Sequence, residues 1–233
     1  MDGSGTDLLI AEDLLLLLLD DEKGTMPAAT QHQPLLGGAL LIELALDGLV
    51  EVGEKHRLWR TTPVHATAGV EPSDPELRAA VRVVAAKQRN AQDLVNRIGK
   101  GARERLLGRL VARGILEQRE GRFLGLFPHT TWPAADVAHE RQVRQRLHDI
   151  LVTGLEPDPR SASLVALLHA VGQVHKQVGA PGVPAGDVRR RAKAISEGAW
   201  AADAVRDAVQ ASQAAMTAAV AAATTAATAS SGS

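Results

Sequence analysis

The chain has 233 residues, a formal net charge of -1 and no cysteine. That length is ample for a buried core. The missing thiols exclude disulfide frameworks, thiolate zinc sites and cysteine nucleophiles. The near-neutral charge excludes a chain built throughout as a polycation, so any anion site must be a local patch. Aromatic residues are limited to Trp59, Phe123, Phe127, Trp132 and Trp200, so the core must be aliphatic, a composition that favours helices.

Residues Met1 to Asp7 form an acidic leader without Lys or Arg, unlike a secretory signal. Leu8 to Leu19 predicts a helix buried on nearly all sides, closed by the polar turn Asp20 to Gly24. Glu12 and Asp13 interrupt its apolar run, leaving it far short of the ~20 residues of a membrane span. Being adjacent, these two carboxylates must point apart or cap a helix end. Met26 to Gln33 reads as a loop, with Pro27 and Pro34 breaking regularity. Leu36 to Leu46 predicts a second apolar helix. Leu49 to Val52 and Arg57 to Trp59 then read as two short strands joined at Gly53-Glu54-Lys55.

Ser73-Asp74-Pro75-Glu76 starts a helix, either through a Ser73/Glu76 capping box or with Asp74 as cap and Pro75 at the first helical position. The helix is expected to run from Pro75 to about Asn90. Ala91 to Ile98 either continues it or begins another, and Gly99-Lys100-Gly101 is a break. Ala102 to Arg113 predicts a helix with Leu106, Leu107, Leu110 and Val111 as its apolar stripe, ended by Gly114. Ile115 to Glu117 and Arg122 to Phe127 are expected to pair as a hairpin around Arg119-Glu120-Gly121. Helix, glycine and two short strands thus occur twice, at 36–59 and 102–127.

Ala135 to Gly154 predicts a polar helix with a Val143, Leu147, Ile150, Leu151 stripe, broken by Pro157 to Pro159. Ser161 to Val178 is apolar enough to be central, and Pro181 to Pro184 is a loop. Val188 to about Ala223 predicts an Ala-rich helix bent near Gly198, followed by a low-complexity tail, 224–233. The expected fold is mainly α, a compact multi-helix single domain over 8–223 with one or two short β-hairpins.

No catalytic signature emerges. There is no Gly-x-Ser-x-Gly elbow and no dinucleotide fingerprint. Gly99-Lys100-Gly101 fails as a phosphate loop, because Leu94 stands five residues before Gly99 and no Ser or Thr follows Lys100. His169 and His175 share a helix six residues apart, on opposing faces rather than in one metal site. The reading is a non-enzyme with no cofactor and no metal.

One patch stands out. Arg97 to Arg122 carries eight basic residues (Arg97, Lys100, Arg103, Arg105, Arg109, Arg113, Arg119, Arg122) against Glu104, Glu117 and Glu120, a net of +5. With a helix starting near Gly101, free N–H groups would lie beside Lys100 and Arg103. Backbone donors plus a point charge and a planar fork make a phosphate site, with Arg97 assisting. The alternative is a solvated basic face on which Arg105 and Arg109 only maintain solubility. Phe123, Leu124, Leu126 and Phe127 form an apolar segment that would contact lipid or another subunit, or be buried between helices.

The pieces EDLLLLLLDDEKG, GGALLIELALDGLVEV, ARERLLGRLVARGIL with RFLGLF, and LVALLHAVGQV, in that order, resemble the Golgi phosphoprotein 3 family over about Leu8 to Ala222. The resemblance implies a compact helical domain with a hairpin near its middle and a phosphatidylinositol-4-phosphate headgroup as ligand. The family's basic pair at its RERL helix falls on Lys100 and Arg103. Its arginine in the second helix falls on Gly37, and its tryptophan falls near Ala28, so only half of that site carries over. The family hairpin, implicated in membrane contact and self-association, aligns with Ile115 to Phe127. The Ala-rich, Arg-over-Lys composition resembles that of a GC-rich bacterium, an actinobacterium in particular.

The expectation is a cytoplasmic protein, peripheral on the cytoplasmic membrane face, with anionic phospholipid as partner and a homo-oligomer as a second form. No nucleic acid is expected. The rival is a winged-helix nucleic-acid binder, with the Ala102 to Arg113 helix as its reading helix and Arg119 and Arg122 on its wing. A structural oligomeric scaffold is the third reading.

Overall fold

The computed structural model describes residues 8–20, 24–25, 32–52, 63–123, 127–178 and 182–198. They form a mainly helical fold with two small antiparallel sheets. The elements are α1 (Ile10–Leu18), α2 (His32–Leu46), β1 (Val50–Val52), β2 (Pro63–Ala66), α3 (Pro75–Ala85), β3 (Arg89–Asn90), α4 (Ala91–Gly99), α5 (Ala102–Ala112), β4 (Arg119–Phe123), β5 (Phe127–Thr131), α6 (Ala138–His148), α7 (Pro159–Ala170), α8 (Val174–Val178) and α9 (Ala185–Ser196). A single π turn, Asp149–Thr153, extends α6.

Every residue of α1 is buried, as the all-round apolar sequence demands. Leu14 to Leu19 are each at most 6 % exposed. α2 is buried from Leu35 through Leu44. It touches α1, α3, α4, α5 and α7 and so forms the axis of the core. It starts four residues earlier than the apolar pattern indicates. Pro34 lies in its first turn, where a missing N–H costs nothing because that turn has no intrahelical acceptor.

The crossing of α2 over α4 depends on two glycines. A Cβ on Gly37 would stand 2.0 Å from the Val95 carbonyl oxygen, and one on Gly99 would stand 1.9 Å from that of Gln33. The two backbones therefore touch, and no side chain fits between them.

Asp74 caps α3, accepting from the N–H groups of Glu76 (2.8 Å) and Leu77 (3.2 Å), with Pro75 as first helical residue. α3 stops at Ala85, short of the expected Asn90. Arg89 folds back and donates to the carbonyls of Val83 and Lys87, satisfying groups that a longer helix would have used. Arg89 and Asn90 then join β2, and α4 begins separately at Ala91.

The partner of β1 is β2, with Val50 opposite Ala66 and Val52 opposite Val64. The expected partner, Arg57 to Trp59, lies outside the described residues. In this register the Val64 side chain turns inward, 1 % exposed. The second hairpin is also displaced. β4 and β5 run from Arg119 opposite Thr131 to Phe123 opposite Phe127. Arg119-Glu120-Gly121 is therefore strand, not turn. Leu116, read as the first strand, instead makes an isolated bridge to Ala134.

α6, its π turn, α7 and α9 pack as the second half of the core. Leu147, Ile150 and Leu151 are buried and Val143 packs against them, as the stripe predicts. Asp158 caps α7, accepting from the N–H of Ser161 at 3.0 Å. α9 ends at Ser196, and Gly198 adopts φ +83. The left-handed Gly198 falls where the helix is expected to bend, and that backbone conformation ends an α-helical run. Residues 1–7 and 199–233 lie outside the described set. No helix among the described residues is long and apolar enough to cross a membrane.

Candidate functional site

The basic run divides into two groups. The first turns inward. Arg105 forks Glu76, with Nε 3.0 Å and Nη2 2.6 Å from Oε1, and donates through Nη1 to the Lys100 carbonyl at 2.8 Å. Arg109 donates to Glu12 at 2.8 Å and to both oxygens of Asp74 at 3.2 and 2.7 Å. Arg113 approaches Glu12 at 3.8 Å. Glu12 is fully buried and also accepts from the Leu9 N–H at 2.9 Å.

Burial opposes the Asp74 carboxylate. Arg109 and the two capping N–H groups outweigh it and hold its pKa below the ordinary aspartate value. Burial likewise opposes the charge on Arg109, yet Glu12 and Asp74 raise its pKa. Arg105, whose side chain stays 44 % exposed, and Arg109 are thus committed to carboxylates of the protein itself. They are the ties between α5, α1 and α3.

The second group lies at the start of α5. Gly101, with φ +67, leads into Ala102 and offers no side-chain cap. The first N–H groups of the helix accordingly have no intrahelical acceptor. Lys100 is exposed beside them and has no ion pair among the described residues. Arg103 is one-quarter exposed, with Nη1 3.5 Å from Glu104. Its guanidinium lies 4.8 Å from the centroid of the Trp132 indole. Arg97 is half-exposed and paired to Asp93 at 2.9 Å across one helical turn. Such an exposed pair adds under about 1 kcal/mol and opens readily.

Trp132 follows β5 and had no functional signal in the sequence. Its N–H donates to the Gly24 carbonyl at 3.0 Å. A Cβ on Gly24 would strike the Trp132 backbone at 2.3 Å. Gly24, after α1, therefore packs against the Trp132 backbone.

His32, at the first residue of α2, is also near. Burial first and then the Arg103 charge lower its pKa, with Glu104 opposing. Its buried Nδ1 has no hydrogen-bond partner among the described residues. Gln33 donates to the Asn96 carbonyl at 2.8 Å, seating the α2 end against α4.

Phe123 and Phe127 are placed as a backbone pair at the end of the hairpin. Their side chains, and Leu124 and Leu126 altogether, lie outside the described residues, as does the Arg122 side chain.

A cleft lies elsewhere. It has a volume of about 820 Å³ and is walled by α1, α6 and α7. Its polar groups already satisfy one another. His139 Nε2 lies 2.6 Å from Asp13 Oδ1. Arg160 bonds Glu43 at 2.5 Å, Asp13 at 3.2 Å and the Leu8 carbonyl. Glu43 also accepts from the Ile10 N–H. Burial raises the Glu43 pKa, with Arg160 and that N–H opposing. At the rim, Arg146 meets Asp158 at 2.5 Å. Burial opposes the Asp158 charge, but Ser161 and Arg146 bring its pKa down to about 2.

Glu12 and Asp13 do point apart, one to α5 and one to α6 and α7, yet each is an anchor rather than a bystander. No group of three or more His, Asp or Glu side chains converges as a metal site among the described residues.

Compared with known protein families, residues 10–212 match the family described as Golgi phosphoprotein 3 (GPP34). No curated protein matches the chain.

Proposed function

The chain belongs to the Golgi phosphoprotein 3 (GPP34) family, and from that premise we propose that it is a non-enzymatic, peripheral protein that docks on anionic phospholipid headgroups. Lys100 and Arg103 hold a lipid phosphate at the N-terminus of α5, and Arg97 assists. The observation that carries this reading is the division of the basic run. Lys100 is exposed and has no ion pair among the described residues, and Arg103 has a 3.5 Å contact to Glu104 and lies against the Trp132 face, whereas Arg105, Arg109 and Arg113 reach buried carboxylates.

An anion at a helix start gains from both the free N–H groups and the dipole. Three basic residues near an anionic surface contribute roughly 1 kcal/mol each, enough for weak and reversible recruitment. The apolar hairpin segment Phe123, Leu124, Leu126 and Phe127 supplies the second contact, to lipid or to a second copy. The surface is the cytoplasmic face of a membrane.

The same division argues against a nucleic-acid reading. A recognition helix needs its cations free along one face, and three of the arginines on and just after α5 turn into the protein.

The test is co-sedimentation with vesicles at physiological salt. Lys100→Glu with Arg103→Glu is expected to abolish binding to anionic vesicles while leaving the helical circular dichroism unchanged. Undiminished binding by the folded double variant would rule out this site.

A further inference from the structure

A groove of about 460 Å³ lies between the π turn and α9. We infer that it is a peptide site, and that its occupant is the chain's own segment 203–209, Asp-Ala-Val-Arg-Asp-Ala-Val. That segment lies outside the described residues. The groove's chemistry, the segment's sequence and the length of the tether support the assignment.

The lining pairs an aliphatic surface with two cations. Leu151 is buried, Val152 and Val183 pack against the core, and Ala194 adds a small side chain from α9. Arg190 and Arg191 complete it. Arg191 donates through Nε to the Ile150 carbonyl, within the π turn, at 2.7 Å. That bond holds the guanidinium in place. Its two Nη groups have no partner among the described residues. A planar fork held in this way, with its terminal donors open, suits a carboxylate. Arg190 is 77 % exposed and meets Asp187 at 2.8 Å. An exposed pair of this kind contributes under about 1 kcal/mol, so Arg190 exchanges partners easily. The groove therefore fits a carboxylate close to an aliphatic side chain.

The end of the chain carries that combination twice. Asp203 and Asp207 are the only acidic residues after Glu197, and each stands two positions before a valine, Val205 or Val209. The helix they would meet has the opposite balance. From Ala185 to Glu197, four basic residues stand against two acidic ones.

The tether is long enough. Gly198, with φ +83, turns the chain off the α9 axis. Arg191 lies seven residues before it, about 10 Å back along the helix. Asp203 lies five residues after it, an extended reach of about 17 Å. A tether this short keeps the segment at roughly millimolar effective concentration, so individually weak contacts suffice. While the segment is seated, an acidic peptide from another protein must displace it to enter the groove.

The experiment uses the full chain, whose lack of cysteine allows a single engineered pair to be followed. Ala194→Cys is combined with Ala204→Cys or Ala208→Cys, and disulfide formation is timed on dilute protein. These sites leave both aspartates and both valines in place. The expected product is a disulfide within one chain. Asp203→Lys with Asp207→Lys should slow its formation about tenfold, with the helical circular dichroism unchanged. Adding Arg190→Glu to that variant should restore most of the rate.

An unchanged rate in the folded lysine variant would overturn the proposal, because proximity along the chain alone would then account for the disulfide. Failure of either pair to react would overturn it as well. Disulfides formed between two chains would reassign the groove to a second copy and overturn the intramolecular occupant.

Discussion

The two ends of one basic stretch behave as different materials. Within α5, Arg105 and Arg109, followed by Arg113 just beyond its end, reach carboxylates that are buried or nearly so on α1 and α3. At its start, Lys100 is exposed and Arg103 lies against the Trp132 ring. All five are basic residues within fourteen positions, yet one set reaches buried carboxylates of α1 and α3 and the other does not. A count of charges along a sequence therefore measures neither a surface nor an affinity. What matters is whether a partner has already been found inside the molecule.

The largest stability effect should come from breaking the inward set. Glu12→Ala leaves Arg109 and Arg113 facing a buried position with no counter-charge, and such removals cost about 3–5 kcal/mol. Urea denaturation should show the midpoint falling sharply. A loss below about 1 kcal/mol would mean that Asp74 alone can satisfy Arg109.

Next is Gly37→Ala. The new methyl cannot fit 2.0 Å from the Val95 oxygen, so α2 and α4 must separate. Overpacking of this kind costs about 1–3 kcal/mol. Thermal unfolding would read it, and vesicle binding by the surviving folded fraction would show whether the crossing also shapes the outward site.

Acid should act on the inward set and on the α7 cap in the same direction. The folded-state pKa values of Asp74 and Asp158 lie below their unfolded value of 3.8, the latter at about 2. Such groups contribute stability that is fully present above the unfolded pKa and lost as pH falls through the folded one. Stability should therefore decline from about pH 4 toward pH 2. Asp158→Asn should flatten that slope, and an unchanged slope would place the acid sensitivity elsewhere.

The smallest stability change belongs to the outward set. Lys100→Glu with Arg103→Glu should shift unfolding by no more than about 0.5 kcal/mol beyond the loss of the Trp132 stack, as surface changes do. A large shift would mean that these residues, too, serve the fold.

Much of this architecture was legible in the chain. The unbroken leucines could only be a core helix, and Asp74-Pro75 could only start one. Gly99 to Gly101 marked the break that lets α5 begin beside Lys100 and Arg103. Those signals are local, since cap, proline and glycine preferences act within one or two turns. The family pattern was legible as well, because it is an order of short pieces rather than a set of contacts.

Other features needed the folded molecule. The partner of β1 and the position of the second hairpin's turn depend on which registers bury a side chain, as Val64 does. The fates of Arg105 and Arg109 depend on carboxylates 29 to 97 residues away. Arg103 meets Trp132, which follows β5 and whose backbone N–H donates to the Gly24 carbonyl. The sequence by itself determined most helix positions, the Asp74 cap and the presence of a basic run, because those follow from neighbouring residues and their periodicity. Only the tertiary structure decided which cations are spent and which are offered, because desolvation and ion pairing are set by groups that meet across the fold.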